Sequence, residues 1–383
     1  MKKALLALED GTVVQGEGLG VEGVSQGELV FTTSFTGYEE ALSDPSYAGQ
    51  ILIFAYPLIG NYGINRENLQ SKGLVPEGVV AKEICHHPSH REAELSVEEF
   101  LEEEGKRAIE GVNTRALTVS IRERGTVKAA LAVGDYVAEE VLASARDQAD
   151  ITELDLVSRV GTGEAYRIPK AEGAKLAVID TGSKQNILND LSERFDLTVF
   201  PSGATSEEIM ATDPDGVFVT NGPGDPLNAG EAIAAVEDLV GRVPLFGICF
   251  GAQIIALAAG ARTYKLPFGH RGSNQPVVET DSDLVFITSQ NHGFAVEEES
   301  LQETGFRITQ KNANDGTVEA FKDKEREIFA VQYHPEACPG PHDTEKWFFD
   351  QVEDLLRGKS FERKGEEKES LQGIEERTSA VRS

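Results

Sequence analysis

The sequence is poor in cysteine, tryptophan and methionine. It contains three cysteines (Cys85, Cys249 and Cys338) and one tryptophan in 383 residues. An odd and sparse set of cysteines argues against a disulfide framework and indicates a reducing compartment. No apolar run is long enough to span a bilayer. We therefore expect a cytoplasmic protein that makes no contact with a membrane.

Basic residues are also scarce. The chain has 36 lysines and arginines against 65 aspartates and glutamates, which gives a formal net charge of −29. Such a surface repels phosphate backbones and anionic lipid headgroups, so nucleic acid and membrane are poor partners. The excess acidity fits a host with a saline cytoplasm, where ions screen self-repulsion, and equally an ordinary acidic enzyme.

The length and composition predict two domains. A chain of 383 residues with 40% hydrophobic residues can bury more than one core. Residues 1–150 alternate short strand-like runs with glycine turns, which predicts a mixed α/β N-terminal domain. Residues 151–173 are polar and suit a linker, residues 174–358 form the second domain, and residues 359–383 are expected to be a disordered charged tail.

The second domain has a regular alternation of strands and helices. Buried strands are expected at residues 175–180, 196–200 and 216–219, each followed by a helical pattern. This βα rhythm predicts a doubly wound, mostly parallel sheet, in which sites lie beyond the carboxyl ends of the strands. The loop at residues 221–226 and Cys249 both follow such strands, so we expect them to lie close together.

A candidate nucleophile stands between an apolar strand and an apolar helix. Residues 247–251, Gly-Ile-Cys-Phe-Gly, are the cysteine version of the G-x-S-x-G nucleophile elbow. Cys249 would lie at a helix N-terminus, whose partial positive charge favours a thiolate. The alternative interpretation is a small buried core cysteine.

A candidate base follows a second apolar strand. His334 and Glu336 are spaced i, i+2, so they share one face of an extended backbone, and Pro335 biases His334 toward that conformation. Cys249, His334 and Glu336 would then act as nucleophile, base and orienting carboxylate. His270 and His292 have no adjacent carboxylate in this position and are expected to be structural.

Longer motifs resemble known families. Residues 247–253, Gly-Ile-Cys-Phe-Gly-Ala-Gln, with the later His-Pro-Glu at 334–336, resemble the class I (triad) glutamine amidotransferases. Residues 221–226, 290–296 and 334–343 narrow the resemblance to the small-subunit family of carbamoyl phosphate synthetase. The similarity runs from about residue 4 to residue 356, and it implies a class I amidotransferase fold for the second domain.

The resemblance also implies roles for individual residues. The backbone N–H groups of Gly222 and Phe250 would form an oxyanion hole, and Phe250 fits independently as the residue after the nucleophile. The residues implied to contact glutamine are Ser46, Gly222, Gly224, Phe250, Gln253, Asn291, Gly293 and Phe294. The chain departs from the usual family pattern at Ala252, where many relatives have histidine, and at Asn113, where aspartate is usual.

The activity implied is that of a glutaminase subunit. L-glutamine would be hydrolysed through a cysteine thioester, and ammonia would pass through a tunnel to the large synthetase subunit. That partner would make carbamoyl phosphate from bicarbonate and ATP for arginine and pyrimidine synthesis. This chain has no G-x-x-x-x-G-K-[ST] motif, so ATP and metal ions are expected only on the large subunit.

Other functions remain compatible with the sequence. A non-catalytic regulatory subunit could keep the same fold and only bind a partner. A glutaminase of another biosynthetic pathway and a free-standing cysteine hydrolase would share the elbow.

One further segment suggests a metal. Residues 85–90 hold one cysteine and three histidines, which are ligand types that zinc accepts. A second ligand pair at a distance is missing, so we predict no metal site here.

Overall fold

The computed structural model describes residues 2–282 and 284–358. Its N-terminal part is a closed barrel with helices and a small two-stranded sheet around it. The strands of this part are β1 (Lys2–Leu8), β2 (Val13–Gly20), β3 (Gly23–Thr32), β4 (Gln50–Phe54), β5 (Leu58–Ile59), β6 (Gly78–Val80), β7 (Glu83–Ile84), β8 (Arg107–Glu110) and β9 (Val127–Val133). The helices are α1 (Tyr38–Ser43), α2 (Val97–Glu103), α3 (Thr114–Arg124), α4 (Ala138–Asp147) and α5 (Val157–Val160).

The barrel closes in the order β1-β2-β8-β6-β4-β3-β9, and β5 pairs with β7 outside it. The pairs β3–β4, β4–β6 and β6–β8 are parallel, whereas β9 is antiparallel to both β1 and β3 and closes the barrel. Leucines, valines and alanines that alternate along these strands fill the interior, as the period of two in a strand requires.

The C-terminal part is built on a ten-stranded sheet. Its strands are β10 (Tyr166–Ile168), β11 (Lys175–Asp180), β12 (Asp196–Pro201), β13 (Gly216–Val219), β14 (Leu245–Ile248), β15 (Thr263–Glu279), β16 (Val285–Val296), β17 (Arg307–Asn312), β18 (Val318–Asp323) and β19 (Ile328–Val331). Its helices are α6 (Gln185–Ser192), α7 (Ser206–Met210), α8 (Gly230–Leu239), α9 (Phe250–Ala258), α10 (Glu298–Glu303) and α11 (Glu345–Leu356).

The sheet order is β10-β12-β11-β13-β14-β19-β18-β17-β15-β16. The five strands from β12 to β19 are parallel, and their carboxyl ends meet at one edge. One apolar core on each face of this sheet, with α8 and α9 on one side and α6 and α11 on the other, buries the strands on both faces. The long antiparallel pair β15–β16 lies at the far edge.

These elements confirm the predicted fold class, a mixed α/β N-terminal part followed by a doubly wound, mostly parallel sheet. The strands expected at 175–180 and 216–219 are β11 and β13. The helical pattern expected after the strand at 196–200 is α7, which begins at a capping box formed by Thr205 and Glu208. The closure of the N-terminal strands into a barrel was not predicted.

The stretch expected as a linker carries structure of its own. It includes α5, and β10 adds an antiparallel edge strand to β12. Ile151 and Leu156 are buried, with 5% and 1% of their surface exposed. The tail predicted at residues 359–383 lies outside the described residues. Within the described ranges, none of the helices is both long enough and apolar enough to cross a bilayer.

Candidate active site

Cys249 occupies a strained turn between β14 and α9. Its φ of 55° and ψ of −106° lie outside the regions that most residues with a side chain adopt. A Cβ at Gly251 would lie 2.1 Å from the carbonyl oxygen of Val219, and one at Gly247 would lie 2.7 Å from the carbonyl carbon of Gly251. The two flanking glycines therefore allow the backbone to pack this closely, as a nucleophile elbow requires.

Parallel pairing of β14 with β19 brings the nucleophile beside the candidate base. Ile248 pairs with Val331, and the N–H of Cys249 donates to the Val331 carbonyl at 2.8 Å. The chain continues from Val331 to His334, whose N–H donates to the Ser289 carbonyl at 2.8 Å and fixes the backbone there. The nucleophile and the base thus lie at the carboxyl ends of neighbouring strands.

The imidazole and the carboxylate form the expected pair. His334 Nδ1 lies 2.6 Å from Glu336 Oε1, and both side chains are buried. Burial alone would lower the pKa of His334, but the charges of Glu336 and Cys249 outweigh it and raise that pKa. The buried Nε2 atom of His334 forms no hydrogen bond of standard geometry to the described residues, and the Cys249 side chain lies close enough to interact with the imidazole. One ring nitrogen is therefore oriented by the carboxylate, and the other is available for proton transfer.

A lysine that sequence reasoning missed completes the charge pattern. Lys184 is 2% exposed, and its Nζ lies 2.9 Å from Glu336 Oε1 and 2.6 Å from the Ala337 carbonyl oxygen, to which it donates. Burial would raise the pKa of Glu336, but Lys184 and His334 outweigh it and hold that pKa below its usual range. The carboxylate consequently stays ionised although no solvent reaches it.

The Cys249 sulfur contacts one donor and one acceptor. The thiol points to the carbonyl oxygen of Asn291, and Gln332 Nε2 donates to the sulfur, both at 3.7 Å. The Gln332 oxygen in turn accepts a hydrogen bond of 3.0 Å from Gln253, which also donates to the Phe294 carbonyl at 2.8 Å. Gln332 was not among the predicted site residues. Its amide supplies a donor that can stabilise a thiolate.

A cleft opens at Cys249. It is lined by all eight residues that the resemblance assigned to glutamine contacts, namely Ser46, Gly222, Gly224, Phe250, Gln253, Asn291, Gly293 and Phe294. Those residues come from four separate segments of the chain, so the fold brings them together at one place. Their contact with glutamine stays a prediction.

The proposed oxyanion donors meet at the same point. A Cβ at Gly222 would lie 2.5 Å from the Thr181 carbonyl oxygen and 3.1 Å from the Phe250 ring, so only glycine fits this loop. Within the described residues, the N–H groups of Gly222 and Phe250 donate no hydrogen bond. Two unpaired N–H groups beside a nucleophile are the donors that a tetrahedral intermediate needs.

The barrel contributes part of the cleft. The Asp44 carboxylate accepts hydrogen bonds of 2.9 Å from the Ser46 N–H and from Asn291 Nδ2, and Ser46 Oγ accepts one of 3.0 Å from Asn221 Nδ2. Glu28, Gln50 and Thr126 line the cleft from the same side. Of the barrel residues, Ser46 alone was predicted as a site residue, and no local motif marks Glu28, Gln50 or Thr126.

The two residues that depart from the family pattern, Asn113 and Ala252, lie at the start of α3 and inside α9. Asn113 is the N-cap of α3, and its side-chain oxygen accepts a 3.0 Å hydrogen bond from the Ala116 N–H. Aspartate would accept the same bond, since both side chains cap helices well. Ala252 is fully buried in α9 within the sheet core.

Two groups of residues offer metal-ligand atoms. His86 of the Cys85–His90 segment lies 2.9 Å from Glu110 and 3.2 Å from Glu98, and this arrangement leaves its ring nitrogens occupied. The ligand atoms of His270, His292 and Glu319, all buried, lie within 4.8 Å of one another. The Gln290 side-chain oxygen lies 3.1 Å from both imidazoles of that second group. The absence of a metal in this chain remains a prediction.

Comparison with known families covers both parts of the chain. Residues 6–131 match the family model of the carbamoyl-phosphate synthase small chain, CPSase domain, and residues 177–354 match that of the class I glutamine amidotransferases. The chain is 52% identical over 365 residues to the carbamoyl phosphate synthase small chain of Methanosarcina acetivorans, a match that covers 93% of this chain and 99% of the relative. The chain belongs to the carbamoyl phosphate synthase small-chain family. The resemblance inferred from the sequence motifs is thereby confirmed.

Further relatives carry the same description. The small chain of Archaeoglobus fulgidus is 49% identical over 356 residues, which cover 93% of this chain and 99% of the relative. That of Clostridium acetobutylicum is 48% identical over 354 residues, with coverage of 92% and 100%. With its class I amidotransferase domain, this family member is a glutamine-hydrolysing enzyme, as the sequence predicted.

Proposed function

We propose that this chain hydrolyses L-glutamine through a thioester on Cys249 and supplies ammonia to a large synthase subunit. That partner would use ATP and bicarbonate to make carbamoyl phosphate for arginine and pyrimidine synthesis. The observation that carries the proposal is the buried series of Cys249, His334, Glu336 and Lys184 at the base of the cleft. Family membership supports the partner and the product.

The first half of the reaction forms the thioester. The Cys249 sulfur attacks the side-chain carbonyl carbon of glutamine, while His334 holds the thiol proton. The developing oxyanion is stabilised by the N–H groups of Gly222 and Phe250, which need no reorganisation to donate. His334 then transfers the proton to the leaving nitrogen, and ammonia departs.

The second half regenerates the thiol. His334 accepts a proton from water, which attacks the thioester carbon, and the same oxyanion donors act again. The bond to sulfur breaks, glutamate leaves, and the proton returns to Cys249. Glu336 orients the imidazole throughout and stabilises its protonated form, and Lys184 keeps Glu336 ionised.

The test is glutamate release from glutamine by the purified chain, alone and with its large subunit. We expect Cys249→Ala to lower release at least about 1,000-fold, while ammonia-dependent carbamoyl phosphate synthesis by the complex persists. Cys85→Ala is the matched control, since Cys85 is a half-buried free cysteine of the barrel part, and it should retain release.

Other outcomes would point to the alternatives. If a formed complex releases no glutamate, the chain is a non-catalytic subunit. Peptide hydrolysis without glutaminase activity would indicate a free-standing cysteine hydrolase. Cys249→Ala could also abolish both glutamine-dependent and ammonia-dependent synthesis while the complex still assembles. In that case the proposal that this chain only hydrolyses glutamine and the large subunit makes carbamoyl phosphate is wrong.

A further inference from the structure

Arg271 is a buried cation that forms no ion pair within the described residues, although the charges of Glu28 and Cys249 act on it from a longer distance. It lies on β15, directly opposite Asn291 of β16, and 4% of its surface is exposed. Within the described residues its guanidinium donates a single hydrogen bond, from Nη1 to the Phe268 carbonyl at 2.7 Å, and forms no ion pair. Its Nε is buried and has no hydrogen-bond partner in the same ranges. A guanidinium left in this state destabilises the folded protein.

The fold makes room for this side chain beside the cleft. A Cβ at Gly269 would lie 2.3 Å from Arg271 Nη1, and one at Gly293 would lie 3.2 Å from Nη2. Arg271 and both glycines line the cleft that contains Cys249. The guanidinium therefore packs against two glycines, which have no side chains to displace it. Its Nη atoms border the space where a substrate would lie.

The other cation of the cleft is already neutralised. Lys265 lies 2.8 Å from Glu28 and 3.7 Å from Asp150. Glu28 also accepts hydrogen bonds from Gln50 and Thr126. Lys265 is thus ion-paired, whereas Arg271 forms no ion pair among the described residues and feels the Glu28 carboxylate only from a longer distance.

We infer that Arg271 binds the α-carboxylate of the glutamine that this cleft hydrolyses, an inference that rests on the proposed function. A planar guanidinium donates to a carboxylate in a fork, which fixes distance and orientation together. Four carbon–carbon bonds, about 5 Å when extended, separate the α-carboxylate of glutamine from its reacting carbon. Arg271 lies opposite the residue whose carbonyl contacts the Cys249 thiol, so one ligand can reach both groups.

This contact would make the site selective for the negative charge and for the chain length of its substrate. A substrate without the carboxylate leaves Arg271 buried and unpaired, which penalises its binding. A shorter homologue such as asparagine cannot reach Arg271 and Cys249 at once. Glutamate, the product, keeps the carboxylate and should compete with glutamine through the same contact.

The decisive experiment pairs a change in the protein with a change in the substrate. Glutamate-forming hydrolysis of L-glutamine and hydrolysis of its α-amide, whose carboxylate is replaced by a neutral carboxamide, are compared in the complex with the large subunit. We expect the wild type to prefer glutamine strongly, and Arg271→Gln to raise the KM for glutamine about 100-fold. The preference for glutamine over the α-amide should fall at least about 10-fold, with a smaller change in kcat.

Controls separate binding from misfolding. Alkylation of Cys249 by iodoacetamide, which carries no charge, should still go to completion in Arg271→Gln, although more slowly, since Arg271 and the Cys249 thiolate attract one another. Arg262→Gln removes an arginine just before β15 that is paired with Glu297 and exposed, and it should keep the wild-type preference. If Arg271→Gln does not fold, Arg271→Lys takes its place and should raise KM and reduce the preference by a smaller factor.

An unchanged preference in Arg271→Gln with complete alkylation would overturn the inference, and so would wild-type KM and preference in Arg271→Lys. Failure of the proposed function gives a different result, because the wild type itself would then release no glutamate. In that event glutamate binding, measured by calorimetry, still tests the contact: binding lost in Arg271→Gln supports it, and equal binding in both proteins refutes it.

Discussion

The cleft lies between two groups of residues, here called the sheet wall and the barrel wall, which differ in the interactions that hold their side chains in place. The sheet wall consists of Cys249, which lines the cleft, and of the buried ionisable groups His334, Glu336 and Lys184 behind it, at the ends of parallel strands. The barrel wall consists of Glu28, Ser46, Gln50 and Thr126, which line the cleft, and of Asp44 behind Ser46. Its residues are held by hydrogen bonds: Glu28 accepts from Gln50 and Thr126, while Ser46 and Asp44 accept from Asn221 and Asn291.

This difference indicates a division of labour. Groups on the sheet wall change protonation during the proposed reaction, so their electrostatic partners should control kcat. Groups on the barrel wall hold loops and polar atoms in place, so their loss should act mainly on KM. Substitutions on the two walls can therefore be compared directly.

The largest effect is expected from Lys184→Met. The substitution leaves Glu336 buried without its cation, and breaking a buried pair on one side costs about 3–5 kcal/mol of unfolding free energy. The pKa of Glu336 should rise, since Lys184 is the largest factor that lowers it, and kcat should fall with it. Urea denaturation and steady-state glutaminase assays measure the two effects.

The control for that substitution is Lys346→Met. Lys346 is 85% exposed and pairs with Asp350 along α11, so its loss should cost less than about 1 kcal/mol. If Lys184→Met is no more destabilising than Lys346→Met, the sheet wall does not depend on the buried charge.

Much of the sheet wall was predictable from the sequence. The elbow around Cys249 and the His334–Glu336 pair are local motifs, and the parallel strands that carry them place their ends at one edge. Lys184 was not predictable, because a lysine before a helix is ordinarily exposed and only the fold brings it to Glu336. Arg271 and Gln332 were missed for the same reason.

The barrel wall was mostly beyond sequence reasoning. Ser46 was found through a family motif, but Glu28, Gln50 and Thr126 lie in ordinary strand-like segments. Their convergence depends on the barrel closing through β9 and on parallel pairing of β3 with β4, and both are contacts between distant parts of the chain. Local periodicity predicts a strand but not its partner.

A smaller effect concerns the pH dependence of stability. Burial, together with the charges of Glu345, Glu336 and Glu193, raises the pKa of Asp190 on α6 to about 7. Because the folded state then holds the Asp190 proton more tightly than the unfolded state, this group lowers stability as pH rises from about 4 to 7. Asp190→Asn should remove that decline and, after solvent screening, stabilise the protein by about 1–2 kcal/mol at pH 8 but not at pH 4.

Urea denaturation at a series of pH values checks this expectation. Asp135→Asn, at a position whose side chain is 96% exposed, should leave the wild-type profile unchanged. Equal slopes in wild type and Asp190→Asn between pH 4 and 8 would show that the fold does not raise the pKa of Asp190.

The smallest effect is expected on the barrel wall, from Ser46→Ala. Ser46 Oγ accepts one hydrogen bond from Asn221 Nδ2, next to Gly222, and it lines the cleft. One neutral hydrogen bond contributes about 0.5–1.5 kcal/mol, so KM for glutamine should rise about 3- to 10-fold while kcat stays within about 2-fold. Ser144→Ala, on the outer helix α4, should leave both constants unchanged. If Ser46→Ala instead lowers kcat at constant KM, the barrel takes part in the chemical step. The expectation that the sheet wall acts on kcat and the barrel wall on KM would then be wrong.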